Sequence, residues 1–204
     1  MLLAVFPSGE SYLRPYHDLG RKAHARTMRA LIVYESIYGN THVVANHIGA
    51  GLGREFEVEV VSVDGATADR VAAADLLVVG GPTHVHSLSS ARSRQAGRDA
   101  ARKPGQEIDL DPDAEGEGLR DWFRDLPATA PRAAAAFDTR VDGPALLTGR
   151  ASRSIARRLK SLGYRLVGDP ESFVVNTENH LLAGEADRAE AWAGSLTSYA
   201  PARP

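Results

Sequence analysis

Ser36, Ile37, Tyr38, Gly39, Asn40 and Thr41 follow a continuous apolar run and open a helical pattern, with no Lys or Arg among them. Hydroxyl-bearing and small residues between a strand and a helix suit the holding of an anion by main-chain N–H groups. The first amides of a helix have no intrahelical acceptor, and the dipole places partial positive charge there. A nest of consecutive amides holds a phosphate without a cationic side chain. Gly39 permits positive φ or close backbone approach, and Ser36 and Thr41 add hydroxyl donors. The competing reading is an ordinary strand-to-helix loop with Thr41 as its cap.

These residues need elements to position them. Ala30 to Glu35 is apolar almost throughout, the mark of a strand covered on both faces. Thr41 to Leu52 carries Val43, Val44, His47, Ile48 and Leu52 at helical spacing. Residues 56–63 alternate and then become apolar, which predicts a second strand nearer an edge; 66–75 predicts a brief helix. Leu76 to Gly81 is a third apolar strand, 133–138 a fourth, and 164–175 a fifth, interrupted at Asp169-Pro170. Short helices are expected at 119–127 and 152–163, the latter stopped by Gly163, and a closing helix at 184–196 has acidic residues in its first turn. Strand–helix alternation of this kind predicts an α/β fold with a doubly wound five-stranded parallel sheet. Ligands of such sheets sit outside the strand C-termini at the switch point. The loops 36–41, 81–86 and 138–140 converge there.

The rhythm breaks at 87–118, where Arg92, Arg94, Arg98, Arg102 and Lys103 precede six acidic residues between Glu107 and Glu117. We read a polar helix with a solvated arginine face and then a solvated acidic loop, inserted into one domain spanning 28–198. Residues 1–27 are expected to lie outside the fold, with Met28 reading as a start directly on the first strand, and 199–204 to form a tail. A formal net charge of −2 argues against nucleic-acid binding through bulk positive charge. The chain has no cysteine, which removes thiol catalysis, disulfides and Cys-based metal sites. No apolar stretch approaches the roughly 18 residues of a membrane span.

The stretch "LIVYESIYGNTHVVANHI" resembles the phosphate signature of the flavodoxin family, in which a strand ends in Ser-x-(Thr or Tyr)-Gly-Asn-Thr. "VVGGPTH" (78–84) is similar to that family's second flavin loop, and "AAFDTR" and "ESFVV…GEADRAEAW" look like later parts of flavodoxin-like proteins common in high-GC bacteria. The resemblance covers roughly Met28 to Leu196. It implies strand order 2-1-3-4-5, for which flavodoxin is itself the reference case, and noncovalent FMN. Ser36, Ile37, Tyr38, Gly39, Asn40 and Thr41 would then cradle the phosphate. Pro82, Thr83, His84 and Val85 would line one side of the ring, with Asp138, Thr139 and Arg140 approaching from the other loop.

Implied partners are a redox protein or a small quinone or nicotinamide substrate, in the cytoplasm, with a homodimer left open. Electron-carrier flavodoxins are strongly acidic and stack an aromatic from the second or third loop. Neither "GGPTHVHS" nor "DTRVDG" has one. The function expected is electron carriage through FMN; the alternatives are an NAD(P)H- or quinone-dependent oxidoreductase of the same fold, or a non-redox module docking through 87–118.

Other motifs lead away from chemistry. His84 and His86 lack an evident third metal ligand. Asp109, Asp111 and Asp113 begin a calcium-like loop that has Ala114 and Arg120 where Gly and Glu are needed. "GAGLG" (49–53) ends a helix, which is the wrong place for a dinucleotide fingerprint. Trp122 and Phe123 read as core or interface. His180, in the loop before the last helix, could reach the site, but nothing in the sequence shows that it does.

Overall fold

The structure is a computed structural model that describes residues 27–84, 87–105, 108–128 and 132–199. Thr27 apart, the predicted extension lies outside the described residues, as do Val85 and His86.

Strands β1 (Met28–Tyr34), β2 (Phe56–Ser62), β3 (Leu76–His84) and β5 (Ala133–Val141) are parallel and neighbour one another in the order β2-β1-β3-β5. The fifth position is shared. β6 (Arg165–Leu166) pairs with the start of β5, and β7 (Glu171–Val175) pairs with its end. Gly168-Asp169-Pro170 separates the two, as expected of a proline with no ladder donor. The expected doubly wound five-stranded parallel sheet, ordered 2-1-3-4-5 by its main strands, is therefore observed. A two-residue strand β4 (Ser87–Leu88) folds back antiparallel on β3.

Alternation along each strand builds two cores. Leu31 and Val33, Leu77 and Val79, and Ala134 and Ala136 face one side of the sheet. There they meet α2 (Ala68–Ala73), α4 (Leu119–Asp125) and α6 (Ala151–Ser161) through Val71, Trp122, Phe123, Ile155 and Leu159. Ile32, Val78 and Phe137 face the other side, against α1 (Asn40–Leu52) and α7 (Glu185–Leu196) through Val44, Ile48, Ala189 and Leu196. This is why those strands read as unbroken apolar runs while β2, at an edge, alternates. Trp122 and Phe123 are core, as expected.

The insertion is the main departure. α3 (Ala91–Ala101) begins with a Ser90–Ser93 capping box, and its Arg94 is buried. Arg94 Nη2 approaches Asp121 at 3.5 Å, and Arg98 donates to the Ala114 carbonyl at 3.0 Å. The following loop is docked: the Asp111 amide donates to the Ile37 carbonyl at 2.8 Å, and the Glu117 amide donates to Asp64 at 2.8 Å. Asp111 is 5% exposed, so Arg94 and Asp111 are corrections to the predicted solvated face and loop, whereas Arg92, Arg102, Lys103, Asp109, Asp113, Glu115 and Glu117 are exposed. The fold turns these two charges inward, Arg94 toward Asp121 and Asp111 toward His42. A four-residue helix, α5 (Ala145–Thr148), was not expected.

Gly80 on β3 sits directly opposite Phe137 on β5, and a Cβ there would meet the Phe137 ring at 2.1 Å. Gly80→Ala should therefore cost about 3 kcal/mol by overpacking, read as a lower urea midpoint. Adding Phe137→Leu should recover part of that loss, a coupling expected only of residues in contact.

Candidate functional site

β1, β3 and β5 end at one edge, where the turn after β1 and the last residues of β3 and β5 border a cavity of about 180 Å³. Ser36, Ile37, Tyr38, Asn40 and Thr41 line it from the turn after β1, whereas Pro82, Thr83 and His84 belong to the end of β3 and Thr139 and Arg140 to the end of β5, residues expected in loops that the strand pairing extends into. A larger cleft of 910 Å³ lies elsewhere on the surface. We assign the ligand site to the smaller one, because only there do strand ends and a helix N-terminus converge.

The first turn is built for its task. Gly39 adopts φ 85°, a left-handed conformation that costs other residues about 1–2 kcal/mol. Its amide donates to Ser36 Oγ at 3.1 Å, and the helical ladder begins only with the Val43 amide donating to the Gly39 carbonyl. The amides of Asn40, Thr41 and His42 are thus the free first turn of α1. Ser36 Oγ accepts, so its own proton remains to donate. Thr41 and Thr139 share a hydroxyl–hydroxyl bond of 2.7 Å, which commits one proton and leaves the other. Thr83 Oγ1 accepts from the Ala151 amide at 2.8 Å and likewise keeps its proton. Arg140 is held by the Gly143 carbonyl and Thr148 Oγ1, while its buried Nε has no partner among the described residues. A ring of hydroxyl and amide donors with one nearby guanidinium fits a phosphorylated ligand.

Two candidate residues are placed differently. Gly39 shapes the turn without lining the cavity. Asp138 is fully buried, its Oδ2 accepting the Ser152 amide at 2.7 Å, so it anchors the N-terminus of α6. Burial pushes its carboxyl above the usual carboxylate range, against the lowering effect of Ser152, Ser172 and Arg140. Burial also lowers the His84 pKa and keeps its imidazole neutral, able to donate or accept one hydrogen bond. His180 does not line the cavity; its side chain is 72% exposed.

Asn179, Val141 and Val175 line the cavity unanticipated. Asn179 has φ 62°, and its carbonyl accepts from Asn40 Nδ2 at 2.6 Å. The signal was the Asn-rich turn at 176–179, because Asn tolerates the left-handed region. Beside the turn, His42 Nδ1 lies 3.2 Å from Asp111 Oδ2 and the His42 ring stacks on Tyr34, which donates to Asp113 at 2.7 Å. His42, Asp111 and Asp113 offer atoms within 4.8 Å of one another, a spacing at which a cation could be held. The reading of the chain as lacking a metal site had considered Asp111 and Asp113 without His42.

Residues 32–116 match the family model described as flavodoxin. That stretch is similar to the flavodoxin family. Solved structures extend the likeness in fold. A flavodoxin from the domain Archaea is 17% identical with a TM-score of 0.57, covering 85% of this chain and 99% of its own. Flavodoxin 2 from Bacillus cereus is 20% identical with a TM-score of 0.56, covering 84% and 99%. A short-chain flavodoxin associated with a non-canonical PDU bacterial microcompartment is 15% identical with a TM-score of 0.58, covering 86% and 100%. No curated protein matches significantly. The likeness to proteins of high-GC bacteria gains no support from these matches. The matched segment ends at 116, so it contains the cavity residues of the first turn and of the end of β3; Thr139 and Arg140 come from the part of the fold beyond it.

Beneath the first turn, Glu35 accepts from the Ser89 hydroxyl and from the Leu119 amide, the latter at 2.8 Å. Burial raises its pKa, with Ser89, Leu119, Arg94 and Arg120 opposing. A raised folded-state pKa means that Glu35 contributes stability in full below the ordinary carboxylate range, and that this contribution is lost as pH rises through the folded value. Glu35→Gln removes that dependence, so the variant's melting temperature relative to the parent should climb as pH rises from about 4.3, the ordinary glutamate value, through the raised folded value. A constant difference across that range would contradict the sign.

Proposed function

We propose that the chain is a flavodoxin-like electron carrier that binds FMN noncovalently. The observation that carries this reading is the joining, in one cavity, of the free first turn of α1 with Pro82, Thr83 and His84 from the end of β3. The amides of Asn40 to His42 and the hydroxyls of Ser36 and Thr41 would hold the phosphate. Pro82, Thr83, His84 and Val141 would border the ring. Bound there, the flavin supplies the redox chemistry, and the protein tunes it through hydrogen bonds and exclusion of water. Arg140 and the neutral His84 are the polar groups available for that tuning.

Support comes from the family match and from the fold of the matched flavodoxins. The protein should purify yellow, or bind added FMN saturably with a change in flavin fluorescence; a colourless preparation indifferent to FMN would end this reading. Gly39→Val, barred from the left-handed region, should weaken FMN binding by about 30-fold, or about 2 kcal/mol. Riboflavin, which lacks the phosphate, should lose far less. Equal losses for both ligands would remove the phosphate from the first turn.

One observation favours an oxidoreductase as the second reading. Among the described residues Tyr38 is the only aromatic lining the cavity, and its hydroxyl is engaged with the Gly97 carbonyl at 2.9 Å. A ring face left without an aromatic cover has room for a quinone or nicotinamide. Steady NAD(P)H oxidation by the FMN-loaded protein alone would establish that reading; reduction only through a separate reductase is expected of the carrier.

A further inference from the structure

The 910 Å³ cleft lies where α6 runs over the interrupted fifth strand. Residues 150–165 carry Arg150, Arg153, Arg157, Arg158, Lys160 and Arg165 and no acidic residue, in a chain whose net charge is −2. Of these, Arg153, Arg157, Lys160 and Arg165 line the cleft and are exposed. None has a carboxylate within 4.0 Å among the described residues. Arg29, Arg70, Arg94, Arg98, Arg102, Arg124 and Arg188 each have one. Arg153, Arg157 and Lys160 stand at i, i+4 and i+7 on one face of α6, a ladder about 10 Å long. Small Ala156 opens the wall between them, and half-buried Leu166 gives the cleft an apolar floor.

We propose that this cleft is a docking surface for an acidic segment of a partner protein, with carboxylates one helical turn apart meeting Arg153, Arg157 and Lys160. A row of like charges held on a rigid helix repels itself until counter-charges arrive, so complementarity is the term that drives association. Nucleic acid fits less well. The cleft's one aromatic, Tyr164, is buried and offers no face for base stacking. Beyond the cleft the chain's negative balance opposes a long polyanion. The proposal does not depend on FMN.

The test uses the full chain and a labelled synthetic helical peptide of about 14 residues with Glu at i, i+4 and i+7, followed by fluorescence anisotropy. Saturable binding is expected at about 50 mM NaCl, weakened about tenfold at about 300 mM. Arg153→Gln/Arg157→Gln/Lys160→Gln should bind about tenfold more weakly, with unchanged circular dichroism and melting. Arg54→Gln/Arg92→Gln/Lys103→Gln, an equal change in charge at exposed positions elsewhere, should bind like the parent. The proposal is overturned by absence of binding at low salt, by equal binding of a Gln-for-Glu peptide, by equal losses in the two triple variants, or by tighter binding of a dT12 oligonucleotide.

Discussion

The candidate site depends on how the chain leaves β1. A strand covered on both faces must end its backbone pairing and enter a helix within a few residues, at the one edge of the sheet where main-chain donors can face a ligand. Gly39 in the left-handed region makes the reversal, and the Gly39 amide folding back on Ser36 fixes it. The donors of the first turn follow from that bend: it exposes the first amides of α1, leaves the Ser36 proton free to donate, and brings Thr41 against Thr139 on β5. With a less permissive residue at 39 the helix would start elsewhere and the amides would point elsewhere.

The bend is held from outside as well as from within. The insertion contacts it at three places: Tyr38 donates to the Gly97 carbonyl on α3, the Asp111 amide donates to the Ile37 carbonyl, and Asp111 approaches His42. From below, Glu35 gathers the Ser89 hydroxyl and the first amide of α4. A carboxylate at a helix N-terminus is favoured by the dipole, yet burial works against its charge. The two effects meet on one residue, which couples the end of β1 to both ends of the inserted segment. The insertion is therefore part of the wall that fixes the turn's shape.

The sheet was legible because burial on both faces writes itself as apolar runs, and β1, β3 and β5 each supplied one. The edge position of β2 showed in its alternation, and Asp169-Pro170 marked the break between β6 and β7. The turn at 36–41 was legible because few residue types tolerate its geometry. What could not be read was docking over long sequence separations. Nothing near Asp111 indicates that its amide reaches Ile37, and an Asp-rich stretch looks the same in composition whether it is solvated or folded against a helix. Asp138 misled for a related reason. A carboxylate at a strand end can face the ligand or cap the next helix, and the choice rests on where α6 begins. Asn179 was hidden in a polar turn whose left-handed φ is a matter of conformation, not of residue class alone.

Charge is distributed in a way that the net value of −2 conceals. Among the described residues most arginines of the N-terminal half are paired, Arg29 with Glu57, Arg70 with Glu59, Arg94 with Asp121, and Arg98 and Arg102 with Glu115. Those of α6 are not. The same helix presents its first amides to Asp138 and Thr83, at the strand ends that border the cavity, and Arg153, Arg157 and Lys160 to the cleft over β6. One rigid element thus joins the cavity end of β3 to a positively charged surface.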